Sequence, residues 1–286
     1  VRGVSAANIV SAVSSVSLDS LDGVEGTSLT LDRDVEDDPP TRPLSRGEVD
    51  YTGKKPGTRL ATALANKIAR SFFDGQIRKR QLIIKDVVGM ENYLAVRDRG
   101  AILTCNHFNA FDNYAVYKVI QPYLGKRQLY KVIREGNYTS FPGLYGFFFR
   151  HCNTLPLASD IHVLREMMDG VQTLLTRGEK ILIYPEQAMW WNYRKPRPLK
   201  EGAFRFAVKA NVPVVPFFIT MEDSDVSDPA GFPVQAYTVH ITAPLYPAPD
   251  KTVRENVACL AEKNYAVWKE IYENVYGVPL SYRETE

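Results

Sequence analysis

Between residues 81 and 241 the chain alternates short β-rich apolar runs with stretches of helical period, and this alternation limits its fold more than any other feature. Runs at 82–88, 101–105, 128–133, 180–184, 212–220 and 235–241 read as strands. Between 159 and 178, Ile161, Leu164, Met168, Val171 and Leu175 keep three- and four-residue steps, with Ser159 as the expected cap and Gly178 as the stop. Further helices are expected at 202–210, stopping at Asn211, and at about 252–276. Strand, helix and strand in succession predict an α/β fold, a mostly parallel sheet flanked by helices, with sites gathered at the carboxyl ends of strands.

Composition narrows the class. The chain has 286 residues, 45% hydrophobic and 24% charged, enough apolar material for a sizeable core and too much for a chain disordered throughout. No stretch reaches the roughly 18 to 20 continuous apolar residues that cross a bilayer. Cys105, Cys152 and Cys259 are too few and too dispersed for a disulfide framework, which suits a reducing, cytoplasmic compartment. A start at Val1 rather than Met leaves room for a removed targeting peptide.

Charge divides the chain. Residues 1–50 carry four arginines against ten acids, with much Ser and Gly and a Pro39-Pro40 pair, and read as a disordered acidic tail. Residues 51–80 carry eight cations against Asp74 alone. There Leu60, Leu64, Ile68 and Phe72 recur every four residues beside Ala61, Ala65 and Ala69, one apolar stripe on a basic amphipathic helix expected between Thr58 as N-cap and Gly75. Such a helix suits an anionic membrane surface, at about 1 kcal/mol per Lys or Arg near the headgroups, or packs on the domain with a solvated basic face.

The run AILTC leads directly into NHFNAFD, placing His107 just past a strand's carboxyl end and Asp112 five residues later at the expected start of a helix. Along a regular helix five residues turn the two side chains about 140° apart, so they meet only across a turn. In such a turn the carboxylate fixes the imidazole tautomer and supports its cation, making His107 a candidate general base; a structural pair or helix cap is the alternative. The sequence has no G-x-S-x-G elbow, phosphate loop, G-x-G-x-x-G or H-E-x-x-H. Cys105 reads as a small buried strand residue.

A second run, ILIYPEQ, delivers Tyr184, Pro185 and Glu186 to the same edge, where the Glu186 carboxylate is expected to accept hydrogen bonds from substrate hydroxyls and Pro185 stiffens the turn. The following WWNYRKPRPLKEG sets aromatics among Arg194, Lys195, Arg197 and Lys200, a loop suited to a phosphate and a headgroup layer. Aromatics among cations also suit single-stranded nucleic acid, but no RNA-binding motif accompanies them, and no nucleic-acid partner is expected. His107, Asp112 and Glu186 would also serve as ligands of a metal-dependent hydrolase.

Taken in order, these segments resemble the glycerolipid acyltransferase family that includes 1-acylglycerol-3-phosphate acyltransferases, from about residue 82 to 245. NHFNAFD is similar to its His-(four residues)-Asp motif, FFFRHCNTLPL to its second block, YPEQ to its Phe-Pro-Glu-Gly block and VPVVPFFI to its fourth, with VVGMENY as the lead-in. The basic helix is similar to the amphipathic segment by which members sit on membranes. The resemblance implies an acyltransferase domain over 81–286 that moves a fatty acyl group from acyl-CoA or acyl carrier protein to the hydroxyl of a lysophospholipid. His107 would deprotonate the acceptor and Asp112 orient the imidazole, with no cofactor beyond the thioester co-substrate and no metal. Two departures bear on the acceptor. Ala158, Ser159 and Asp160 stand where members often carry a cation, and Gln187, Ala188 and Met189 replace the usual Gly-Thr-Arg. Arg150, or Arg194 and Arg197, are the cations expected to take over headgroup binding, with an acceptor carrying a different phosphate or none as the open alternative, while Lys200 and Gly202 are similar to the Lys and Gly that follow the third block. The implied location is peripheral, on the inner face of a membrane. A lipid-binding protein without turnover on the same scaffold is the remaining alternative.

Overall fold

The computed structural model describes residues 41–282. Its elements run α1 (Pro56–Arg78), β1 (Ile83–Val88), α2 (Met90–Leu94), β2 (Ala101–Thr104), α3 (Asp112–Ile120), β3 (Leu129–Arg134), α4 (Glu135–Thr139) and α5 (Gly143–His151). They continue with β4 (Thr154–Leu157), α6 (Ile161–Thr176), β5 (Lys180–Ile183), α7 (Gly202–Ala210), β6 (Val214–Ser227), β7 (Pro233–Ile241) and α8 (Val253–Tyr276). The strands form one sheet in the order β1-β7-β6-β2-β5-β3-β4, parallel at every neighbouring pair except β6–β7, so β1 and β7 run against the other five.

Central β2 and β5 are buried along their whole length, which explains their continuous apolar runs. Alternation sends Leu103 and Leu182 into the core beneath α1, α3 and α5, and Ile102 and Ile181 into the opposite core beneath α6, α7 and α8. The strand missing from the sequence reading is β4, four residues on the sheet edge with Pro156 among them; Pro is tolerated only where no ladder bond is lost. Asp160, not Ser159, caps α6, accepting from the backbone of His162 and Val163. Asn211 closes α7 in a left-handed conformation, and Thr252 with Glu255 makes a reciprocal capping box at α8.

Two expectations near the N-terminus change. Residues 1–40 of the expected acidic tail lie outside the described residues, but 41–50 are seated on the domain. Leu44 is buried with its N–H donated to Glu135, and the N–H of Gly47 is donated to Glu166. Tyr51 is buried against Gly170 of α6 so closely that a Cβ there would lie 2.6 Å from the Cβ of Tyr51. Helix α1 starts at Pro56 rather than after Thr58 and runs through Gly75 to Arg78. Its expected single stripe is split: Ala65, Ala69 and Phe73 face the core, while Leu60 is 74% and Leu64 52% exposed, with Ile68 beside them. Small alanines let the helix lie close to the domain, and the larger residues one step round are left in solvent. No helix among the described residues is long and apolar enough to cross a membrane.

Candidate active site

Because β2 and β5 are hydrogen-bonded neighbours, their carboxyl ends bring His107 and Glu186 side by side although 79 residues separate them. Beyond Thr104, the buried Asn106 side chain continues the ladder by pairing with both backbone groups of Ile219 on β6, which anchors the segment entering the site. The chain then turns so that Asp112, fully buried, opens α3, where an acid is favoured by the helix's positive end.

The expected pair is formed. His107 Nδ1 lies 2.8 Å from Asp112 Oδ2, which also accepts the backbone N–H groups of Phe108 at 3.1 Å and Asn109 at 3.2 Å. Asp112 Oδ1 accepts the Tyr184 hydroxyl at 2.6 Å. A carboxylate so placed is purely an acceptor, so Nδ1 carries the proton and Nε2 presents its lone pair. No group among the described residues bonds Nε2, and the His107 side chain is 25% exposed. The Tyr184 ring stacks on the imidazole with centroids 4.1 Å apart at 20°. Burial and the nearby Asp112 charge push the Tyr184 hydroxyl well above its ordinary value, so it stays protonated and donates.

Glu186 takes a different part from the one expected of it. It is buried, its Oε2 accepts the His107 backbone N–H at 3.0 Å and Arg197 Nη2 at 3.3 Å, and its Oε1 accepts the Arg197 backbone N–H at 2.9 Å. Burial pushes its carboxyl up from the usual range, opposed by the Arg197 guanidinium and the two backbone donors. It therefore fixes the backbone under His107 rather than greeting a substrate hydroxyl. Arg197, expected at a headgroup, is 1% exposed; it also bonds the Ala188 carbonyl and lies over the Trp190 ring.

The other expected cations are dispersed. Arg150 donates to the carbonyls of Tyr138 and Phe141 and holds the α4–α5 connection. Arg194 bonds Asp223 and Gln235 on the β6–β7 arm and lies over Tyr276. The backbone N–H of Lys200 is donated to the carbonyl of Pro185, and Gly202 opens α7 with nothing within 4 Å of where a Cβ would stand. The sequence reading passed over Arg134, at the carboxyl end of β3, which donates to the Gln187 carbonyl beside Glu186. Asn106 is likewise absent from the expected site, although an asparagine following a strand is a local signal for it, and Tyr184 is expected at this edge without a role of its own.

Chemically, the arrangement offers one accessible imidazole lone pair backed by a buried carboxylate. The backbone N–H groups of His107, Phe108 and Asn109 are all taken by Glu186 and Asp112. Cys105 is buried and its thiol is pushed well up by burial and by the charges of Asp112 and Glu186, which leaves it unsuited as a nucleophile. Nothing in the geometry favours the hydrolase alternative: Asp112 and Glu186 direct their oxygens at N–H and O–H donors, and no group of three or more His, Cys, Asp and Glu among the described residues could hold a metal.

Residues 85–220 match the family model described as Acyltransferase. No curated protein matches the chain. Nine chains of solved structures match. One is the 1-acyl-sn-glycerophosphate (LPA) acyltransferase PlsC from Thermotoga maritima, 20% identical with a TM-score of 0.48, the similarity covering 79% of this chain and 98% of that one.

Proposed function

We propose, since this chain belongs through residues 85–220 to the acyltransferase family and is an O-acyltransferase, that it transfers a fatty acyl group from acyl-CoA or acyl carrier protein to a lysophospholipid, with 1-acylglycerol 3-phosphate as the preferred acceptor. The observation that carries this reading is the open Nε2 of His107, locked in one tautomer by a fully buried carboxylate. In the proposed step Nε2 takes the proton of the acceptor hydroxyl while that oxygen attacks the thioester carbonyl. Collapse of the tetrahedral intermediate breaks the carbon–sulfur bond, and the imidazolium returns its proton to the departing thiolate. The headgroup phosphate is assigned to Arg134, at the carboxyl end of β3 beside the Glu186 loop, with Arg150, Arg194 and Lys200, which stand apart on other elements, as the further candidates and Gly202 at the start of α7. Arg197 belongs to the interior.

Membrane contact is part of the same reading. Leu60, Leu64 and Ile68 stand in solvent on α1 among Arg59, Lys67 and Arg70, and Phe141 and Leu144 are exposed at α5, which packs against α1. Apolar residues flanked by cations suit an anionic lipid surface, here placed on the inner, cytoplasmic face.

The test is incubation of the full chain with labelled oleoyl-CoA or oleoyl-acyl carrier protein and a panel of lysolipids in anionic vesicles, with products identified by mass. Phosphatidic acid formed faster than any other product is the expected result. Reaction with non-phosphorylated acceptors alone would overturn the acceptor and leave the chemistry; free fatty acid as the only product would overturn the transfer.

A further inference from the structure

We infer that Tyr184 is a positioning residue of the His107–Asp112 pair, a third member that acts through the carboxylate on one side and through ring stacking on the other. The inference rests on the general-base reading above and adds to it.

Asp112 has two buried oxygens in unlike surroundings. Oδ2 serves the imidazole and two backbone N–H groups of its own loop, whereas Oδ1 is met by a side chain from a different strand end, the Tyr184 hydroxyl at 2.6 Å. Without that hydroxyl, Oδ1 would be a buried charged oxygen lacking its donor, at substantial cost. The same ring lies flat against the imidazole, 4.1 Å between centroids. One side chain therefore limits rotation of the carboxylate about its Cβ–Cγ bond and tilting of the histidine ring. It leaves Nε2 open, because its hydroxyl reaches past the imidazole to the carboxylate. A phenylalanine at position 184 would keep the stack and lose the bond.

The bond also sets how strongly Asp112 draws on the Nδ1 proton. A donor on Oδ1 withdraws charge from the carboxylate and weakens its hold on the imidazolium; removing the donor strengthens it. The other titratable or charged groups around the pair are Cys105 at the end of β2, Tyr237 of β7, and Glu186 with Arg197 from the loop after β5. Burial holds Cys105 and Tyr237 in their neutral forms, with the Asp112 charge adding to the effect on both. Glu186 and Arg197 compensate each other. Removing the Tyr184 hydroxyl is therefore the clean perturbation of the pair.

The experiment compares Tyr184→Phe, Asp112→Asn, the double variant and His107→Ala with the unaltered full chain. It uses oleoyl-CoA and 1-oleoylglycerol 3-phosphate in phosphatidylglycerol vesicles and follows kcat and KM against pH. For Tyr184→Phe the expected result is a fall in kcat of about tenfold, the lower end of what a charge-assisted hydrogen bond contributes, with KM unchanged. The acid limb of kcat/KM should move to higher pH, because the more strongly held imidazolium loses its proton later. In the Asp112→Asn background the same change should add little, since Tyr184 works through that carboxylate. Tyr184→3-fluorotyrosine, whose more acidic hydroxyl donates more strongly, should move the limb the opposite way, and it supplies the test should Tyr184→Phe not fold. An acid limb unmoved by either change, or equal losses in both backgrounds, would overturn the inference. Full activity in His107→Ala would instead overturn the general-base reading, so the two failures are separable.

Discussion

At the carboxyl edge of the sheet, Asp112 accepts four hydrogen bonds and Glu186 three, with Tyr184 donating to the first and Arg197 to the second and to the Ala188 carbonyl. Along the outer side of α1, by contrast, Leu60, Leu64 and Ile68 touch water. The first region is buried apart from the His107 imidazole, which presents one open nitrogen, and the second is left open along about two turns of helix. The site thus offers a single open nitrogen to the proposed chemistry, while the surface proposed to bring a substrate there is unspecific.

The sharpest break in that contrast comes from His107→Ala. Removing the one open nitrogen should lower kcat by at least about 10²-fold and up to about 10⁴-fold with the fold intact; a variant retaining more than a tenth of normal turnover would show that the closed region holds some other base. Next comes the closure itself. Glu186→Ala leaves Arg197 as an uncompensated buried cation and should cost about 3–5 kcal/mol. For a domain of this size that lowers the melting temperature by at least about 6 °C. Calorimetry showing an unchanged transition would mean the pair is not structurally required.

On the open side, replacing Leu60, Leu64 and Ile68 together by Ser should weaken binding to anionic vesicles by about 10²-fold, taking roughly 1 kcal/mol for each partly inserted side chain. Flotation or light scattering would read it, and turnover of soluble short-chain substrates should stay the same; loss of both would place α1 inside the reaction. The smallest effect is at the joint after Glu186, where Gln187 holds a left-handed φ of 61°. Gln187→Gly should relieve that conformation and stabilise the fold by up to about 1 kcal/mol, visible as a small rise in melting temperature. A destabilised variant would mean that the Gln187 side chain contributes more than its backbone conformation costs.

Local features were the legible ones. The His107–Asp112 pair lies within one seven-residue segment, so its spacing alone excluded a helical path and left a turn. Asn211 and Thr252 carry helix ends in their own chemistry, and the structure places them where the sequence does. What the sequence hid depends on partners far along the chain. Glu186 reads as a ligand-seeking carboxylate until the His107 N–H, 79 residues away, is seen to occupy it. Tyr184 reads as the end of an apolar strand because its hydroxyl's acceptor is 72 residues distant. The stripe on α1 had the correct period and the wrong phase: periodicity identifies a helix, but small residues beside large ones leave open which of them faces inward, and here the alanines do. Residues 41–50 look tail-like by composition, yet the burial of Leu44 is enough to seat them.

The wedge of Tyr51 against Gly170 has a consequence for how the molecule would meet a bilayer. With the segment before α1 pinned there, with Asp50 accepting the N–H groups of Lys54 and Lys55, and with Phe73 sunk in the core at the far end, α1 is a keel bolted at bow and stern rather than an oar on a swivel. On the proposed membrane the leucine flank would meet lipid at one fixed draught, and it would be the acceptor that must rise to the imidazole.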